Sequence, residues 1–143
     1  MGDKLRVLVD VNIVLDVLAE RQPHYEASAR VWAAVESGVA DGLLAAHTLT
    51  TLFYLLSKHS SRTQATQSLH DLLNVFSVAQ VDEGVIRQAL ALGWVDFEDA
   101  AQMAAASSSG ADYLITRNPK DFEDGLLPVL QPGDLLALLR SSE

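Results

Sequence analysis

The sequence predicts an α/β fold: a single domain built as an α/β/α sandwich around a mainly parallel sheet of about five strands. Three observations predict it. Short β-rich runs alternate with amphipathic helical segments, the order that gives parallel strands covered by helices on both faces. The chain has 143 residues, the size of one domain, and no repeat, linker or low-complexity stretch beyond Ser107-Ser108-Ser109 divides it, so residues 1–143 are read as one unit. Its composition, 49% hydrophobic and 20% charged, fills a core and argues against intrinsic disorder.

Leu5 to Val9 is β-rich with no helical stripe and reads as a buried first strand, broken at Asp10-Val11-Asn12. Asn12 is placed to cap a helix that carries Ile13, Val14, Leu15, Val17 and Leu18 until Pro23 interrupts it. Tyr25 to Glu36 is a second amphipathic helix, stopped by Ser37-Gly38. Gly42 to Ala46 reads as the second strand and Thr48 to Leu56 as helix despite its three threonines. Ser60 or Ser61 punctuates the chain before a helix from about Arg62 to Leu73. Val75 to Val81 is the third strand, Asp82 to Leu92 a helix, and Gly93-Trp94-Val95 a break. Asp96 to Ser108 is an alanine-rich helix ended by Ser109-Gly110. Asp112 to Thr116 is the fourth strand, 117–125 a loop, 128–130 a short fifth strand, and a last helix begins near Pro132.

The charge narrows the function classes. There are 10 Lys+Arg against 19 Asp+Glu, a formal net charge of −9. Residues 1–80 carry 6 basic and 8 acidic side chains, and residues 81–143 carry 4 and 11, so carboxylates collect in the second half. An acidic total argues against nucleic-acid binding unless cations offset it locally. With no cysteine, disulfide scaffolds, thiolate zinc sites and cysteine nucleophiles are excluded, and any metal must sit on oxygen or imidazole. No signal-like N-terminal region and no apolar run of membrane length is present, giving the expectation of a soluble cytoplasmic protein without membrane contact.

In an open parallel sheet the loops leaving the carboxyl ends of the strands converge on one edge. That rule selects Asp10 and Asn12 after the first strand, and Thr116, Arg117, Asn118 and Asp121 after the fourth. Asp96 and Asp99, one helical turn apart, share a face at the start of their helix. Together these form an oxygen-rich cleft suited to Mg²⁺ or Mn²⁺, hard cations that retain polarisable waters. Without a cation, two carboxylates about 5 Å apart repel by roughly 3 kcal/mol at an effective dielectric of 20. Each residue also has a structural reading: Asp10 as a turn residue, Asp96 as a helix cap with Asp99 at the third position, Asp112 as a turn residue at a strand start. The four histidines lack ligand spacing, and Trp32 and Trp94 read as core or partner-contact residues. No dinucleotide, Walker, nucleophile-elbow or zinc-protease motif occurs.

Three segments, Val7 to Asn12, Asp96 to Gln102 and Gly110 to Phe122, taken in this order and separation, are similar to those of the PIN domain family, the metal-dependent ribonuclease fold that includes the VapC toxins. The resemblance covers nearly the whole chain. It implies metal binding and catalysis by Asp10 and Asp99 with Asp96 as a neighbouring acid. It implies orientation of substrate or metal-bound water by Asn12, Thr116, Asn118 and Asp121. For such a reaction Arg117 and Lys120, on the loop after the fourth strand, are the expected contacts to flanking phosphates, with Lys58 and Arg62 as weaker candidates. The resemblance implies a Mg or Mn cofactor, an RNA substrate, an antitoxin partner and a homodimer, for which the apolar early helices are available, although core burial explains them equally. Two positions depart from the family pattern: Asn118 stands where some members carry an aspartate, and Thr51 where a glutamate is usual. The departure at Thr51 leaves a second reading, a weakened PIN module acting by protein or RNA binding. A phosphotransfer domain of haloacid-dehalogenase or receiver type is disfavoured by Asn12 and by the lack of an acidic pair after the first strand.

Overall fold

A computed structural model describes residues 4–122 and 125–141. Glu123 and Asp124, within the loop expected over 117–125, lie outside them. Five strands, β1 (Arg6–Val9), β2 (Asp41–Ala45), β3 (Ser77–Ala79), β4 (Tyr113–Ile115) and β5 (Val129–Leu130), form one sheet in the order β3-β2-β1-β4-β5. Every pairing is parallel. Among the described residues seven helices connect or follow them: α1 (Val11–Leu18), α2 (Tyr25–Glu36), α3 (Ala46–His59), α4 (Arg62–Val75), α5 (Glu83–Leu92), α6 (Phe97–Ser108) and α7 (Pro132–Ser141). The strand order reverses direction between β1 and β4, so the crevice for a ligand opens where these two strands end.

Side chains of β1 alternate between two cores. Val7 and Val9 join Ile13, Val14, Val31, Leu52, Leu72 and Leu135 on one face, while Leu8 joins Val85, Met103 and Leu114 on the other. α6 lies against this second face with Ala100 to Ala106 all buried. Alanine there removes side-chain bulk, so the helix backbone approaches the sheet closely. Gly93 ends α5 in the left-handed region at φ +68°, a conformation glycine adopts without steric cost. Trp32 packs edge-on against Phe76 and Trp94 against Phe122, both half-buried at the margins of the two cores. No helix among the described residues is long and apolar enough to cross a membrane.

Boundaries differ from expectation at three points. Asp10, not Asn12, occupies the N-cap position of α1, and it makes no capping hydrogen bond with its side chain. Asn12 instead lies within the first turn of that helix. α3 begins at Ala46 rather than Thr48 and α4 runs to Val75, which shortens β3 to three residues. A single 3₁₀ turn, Pro119–Phe122, orders the loop after β4 by burying Phe122.

Candidate active site

The site is built around Asp10. Its backbone N–H continues the sheet by donating to Ile115 O, which places the carboxylate at the end of β1 beside β4. The side chain is 3% exposed, a cost that hydrogen bonds must offset. Gln102 Nε2 donates to Oδ1 at 3.1 Å and Thr116 Oγ1 to Oδ2 at 2.9 Å. The carboxylate therefore gives up its capping role because two donors from α6 and the β4 loop already hold it. Thr116 Oγ1 in turn accepts from the Asn118 N–H at 3.1 Å, so Thr116 and Asn118 form one turn locked onto Asp10.

Asp96 and Asp99 reach the same edge through α6. Asp96 caps that helix, its Oδ1 accepting the Asp99 N–H at 3.1 Å. The structural role open to Asp96 in the sequence is thus realised, and the cap also sets Asp99 in the first turn. Asp99 has its carboxyl raised from the ordinary 3.8 to about 7, first by burial and then by the negative charges of Asp96, Asp10 and Asp121. Carboxylates from three chain segments thus act on Asp99. A cleft of about 470 Å³ beside them is lined by Gly93, Trp94, Val95, Lys120 and the acids Asp96, Asp99 and Asp121. Lys120 is the basic side chain of this lining.

Other expected residues are engaged differently. Arg117 turns to Asp16, with Nε 2.9 Å from Oδ2 and Nη2 3.3 Å from Oδ1. Arg21 Nε lies 3.1 Å from Asp16 Oδ1, while its Nη2 donates to the Asn12 carbonyl at 3.2 Å and approaches Asn12 Oδ1 at 3.4 Å. Ser28 Oγ donates to Asp16 at 3.1 Å. Asp16 is fully buried, and through the two arginines it ties the start of α1 to the loop after β4. Thr51 donates to the His47 carbonyl at 3.2 Å within α3, so that position contributes a hydroxyl and no charge. Asp112 accepts the Arg6 N–H at 2.9 Å at the opposite, amino-terminal edge of the sheet, as a strand-start residue would.

Sequence reasoning did not single out two buried polar positions of the candidate site and its support. Gln102 was legible only as part of a motif, although a lone amide in an alanine-rich helix signals a buried polar contact. Asp16 carried a comparable signal as an acid interrupting the apolar run Ile13 to Leu18, but its partner Arg117 lies 101 residues away.

Among the described residues no three His, Asp or Glu side chains close into a ready-made metal site. Two features nevertheless suit a hard dication completed by water. The donors are oxygens, and burial together with the neighbouring negative charges raises Asp99 to about 7, while Gln102 Oε1, on the amide that contacts Asp10, is buried without a partner.

A carboxylate-lined crevice at the reversal point of a five-stranded parallel sheet defines the class of α/β site, and the sequence supplies the family. A family model of the PIN domain matches residues 6–120, and the chain belongs to that family. Comparison with curated proteins gives no match. Among solved structures, it is similar to VapBC2 from Rickettsia felis bound to a promoter DNA fragment, with 15% identity, 89% of this chain and 98% of that one covered, and a TM-score of 0.71. VapBC-1 from nontypeable Haemophilus influenzae gives 17% identity, 90% and 99% coverage and 0.70. VapC20 from Mycobacterium tuberculosis, a sarcin-ricin loop cleaving toxin, gives 19%, 76% and 86%, and 0.62.

Proposed function

We propose that the chain is a metal-dependent endoribonuclease of the PIN family. The observation that carries this reading is the grouping of Asp96, Asp99 and Asp121 on one crevice with Asp10 close enough to act on Asp99, whose carboxyl is lifted to about 7 by burial first and by the other three charges second. Asp10 and Asp99, with Asp96 beside them, would hold Mg²⁺ or Mn²⁺, water completing the shell. Such an ion supplies an acidified water as nucleophile and charge stabilisation for the departing oxygen. The chain's own residues do the positioning. Gln102 and Thr116 fix both oxygens of Asp10, the Asn118 N–H holds Thr116 in place, Asn12 is held by Arg21 at the start of α1, and Asp121 adds charge from the 3₁₀ turn. Lys120 in the cleft lining is the phosphate contact best placed by geometry. Arg117 acts first by holding its loop to Asp16, with its guanidinium edge available to a phosphate as a secondary role. Net charge −9 is no obstacle, because the acids that face the crevice are those a cation would neutralise.

The similarity to toxins in antitoxin complexes supports extending the proposal to the toxin of a toxin–antitoxin pair. A second reading rests on Thr51: without a carboxylate on α3, the chain would be a weakened module that binds RNA or protein without cutting. One assay separates them. Structured RNAs are incubated with the purified protein in Mn²⁺, Mg²⁺ or EDTA, beside Asp10→Asn and Asp99→Asn. Cleavage that requires the dication and falls at least a hundredfold in both variants is expected. Cleavage absent throughout, or unchanged in both variants, would remove the nuclease reading.

A further inference from the structure

The α3–α4 hairpin differs from the rest of the surface. Residues 42–70 contain no Asp or Glu although the chain's net charge is −9, and they hold Lys58, Arg62, His47, His59 and His70. α3 follows β2 directly and therefore leaves the same sheet edge as Asp10. His47 Nε2 in its first turn lies 3.2 Å from the Glu98 carbonyl in the first turn of α6, which sets the start of α3 beside the start of the helix that carries Asp99. Thr50, Tyr54 and Lys58, four residues apart on one face, are exposed. They span about 12 Å along the helix. Tyr54 is 63% exposed, with Lys58 Nζ 5.9 Å from its ring centroid. Arg21, Arg30, Arg87 and Arg117 each pair with a carboxylate, whereas among the described residues Lys58 and Arg62 form no ion pair.

We propose that this stripe binds single-stranded RNA adjoining the cleft, a base stacking on Tyr54 while Lys58 and Arg62 take neighbouring phosphates. The proposal rests on the ribonuclease reading and adds its binding surface. An acidic crevice repels a polyanion, so affinity must come from cations beside it. Residues 42–70, free of acids up to Asp71 near the end of α4, supply them beside the exposed Tyr54 ring, the pairing that tracks a single strand without reading its sequence.

The test measures fluorescence anisotropy of a labelled single-stranded oligoribonucleotide, in EDTA and in Ca²⁺, across a KCl series. Wild type is compared with Tyr54→Ala, with the double variant Lys58→Glu/Arg62→Glu, and with Arg87→Glu as an equally exposed charge reversal elsewhere. Tyr54→Ala is expected to weaken binding about tenfold. The double variant is expected to weaken it more than tenfold and to lower the salt slope by about 1.4, while Arg87→Glu stays within about twofold. No RNA binding by wild type, variants that bind like wild type, or an equal loss in Arg87→Glu would each overturn the proposal. So would unchanged RNA affinity accompanied by a changed mass in light scattering, which would assign the stripe to protein association. Cleavage of the same RNA in Mn²⁺ separates the two claims. Binding without cutting removes the ribonuclease reading and leaves the surface, and cutting that none of the stripe variants alters removes the surface and leaves the reading.

Discussion

At the scale of single residues, two aspartates illustrate opposite solutions to burial. Asp16 is fully buried and keeps its charge company with Arg117, Arg21 and Ser28. Removing it strands two guanidinium groups, so Asp16→Ala is expected to destabilise the fold by about 3–5 kcal/mol, read as a drop in urea midpoint. Asp16→Asn, which still accepts hydrogen bonds, is expected to cost clearly less. Asp99 has no such partner and meets burial and three like charges by holding its proton to about pH 7. The sign follows from linkage. Its folded value lies above the ordinary 3.8, so the folded state binds the proton more tightly. The corresponding stability is complete below that ordinary value and is lost as pH rises through 7. In metal-free buffer Asp99→Asn is therefore expected to raise Tm at pH 8 by about 2–4 °C, allowing for solvent screening, and to change it little at pH 4. A Tm lowered at pH 8 would contradict the repulsion argument.

At the scale of elements, α6 joins fold and site, and it also shows how far sequence reached. Its cap, its alanine face and its end at Ser109-Gly110 were legible, because local chemistry decides them: Asp96 accepts an orphan N–H, and alanines permit close approach to the sheet. The alternation of strands and helices likewise disclosed the parallel sheet, and with it the edge carrying Asp10, Asp99 and Thr116. Long-range choices were not legible. Whether Asp10 caps α1 or turns to Gln102 depends on a contact 92 residues away. The same holds for Arg117, which a sequence reading sends to phosphate and the fold sends to Asp16. Asp96 has both a local and a site role, and substitution separates them. Asp96→Ser keeps a capping oxygen without the charge and is expected to alter stability by less than about 0.5 kcal/mol, while Asp96→Ala costs about 1 kcal/mol in urea unfolding. If RNA cleavage falls in both variants, the carboxylate charge serves the site. If it falls only with Ala, the residue acts through the helix cap.

At the scale of the whole molecule, the reversal of strand order between β1 and β4 brings acids from widely separated segments to one edge, where they oppose folding until something positive joins them. The acidic surplus of residues 81–143 therefore has two components with different responses. Dispersed surface acids, such as Glu83 paired with Arg87, respond to ionic strength alone. The crevice acids should respond to a dication beyond that screening, because a ligand that binds only the native state stabilises it by RT ln(1 + [L]/Kd). With Mn²⁺ at about a hundred times Kd this is about 2.7 kcal/mol, or a Tm increase of about 5–10 °C for a chain of this size. Scanning calorimetry in MnCl₂ and in KCl of equal ionic strength is expected to show that excess for wild type and to lose it in Asp10→Asn/Asp99→Asn. Equal shifts in the two salts would assign the whole effect to screening and place no cation in the crevice. An excess that survives the double substitution would place the cation elsewhere on the acidic surface, and the crevice would lose its claim to be a metal site even though the fold around it stands.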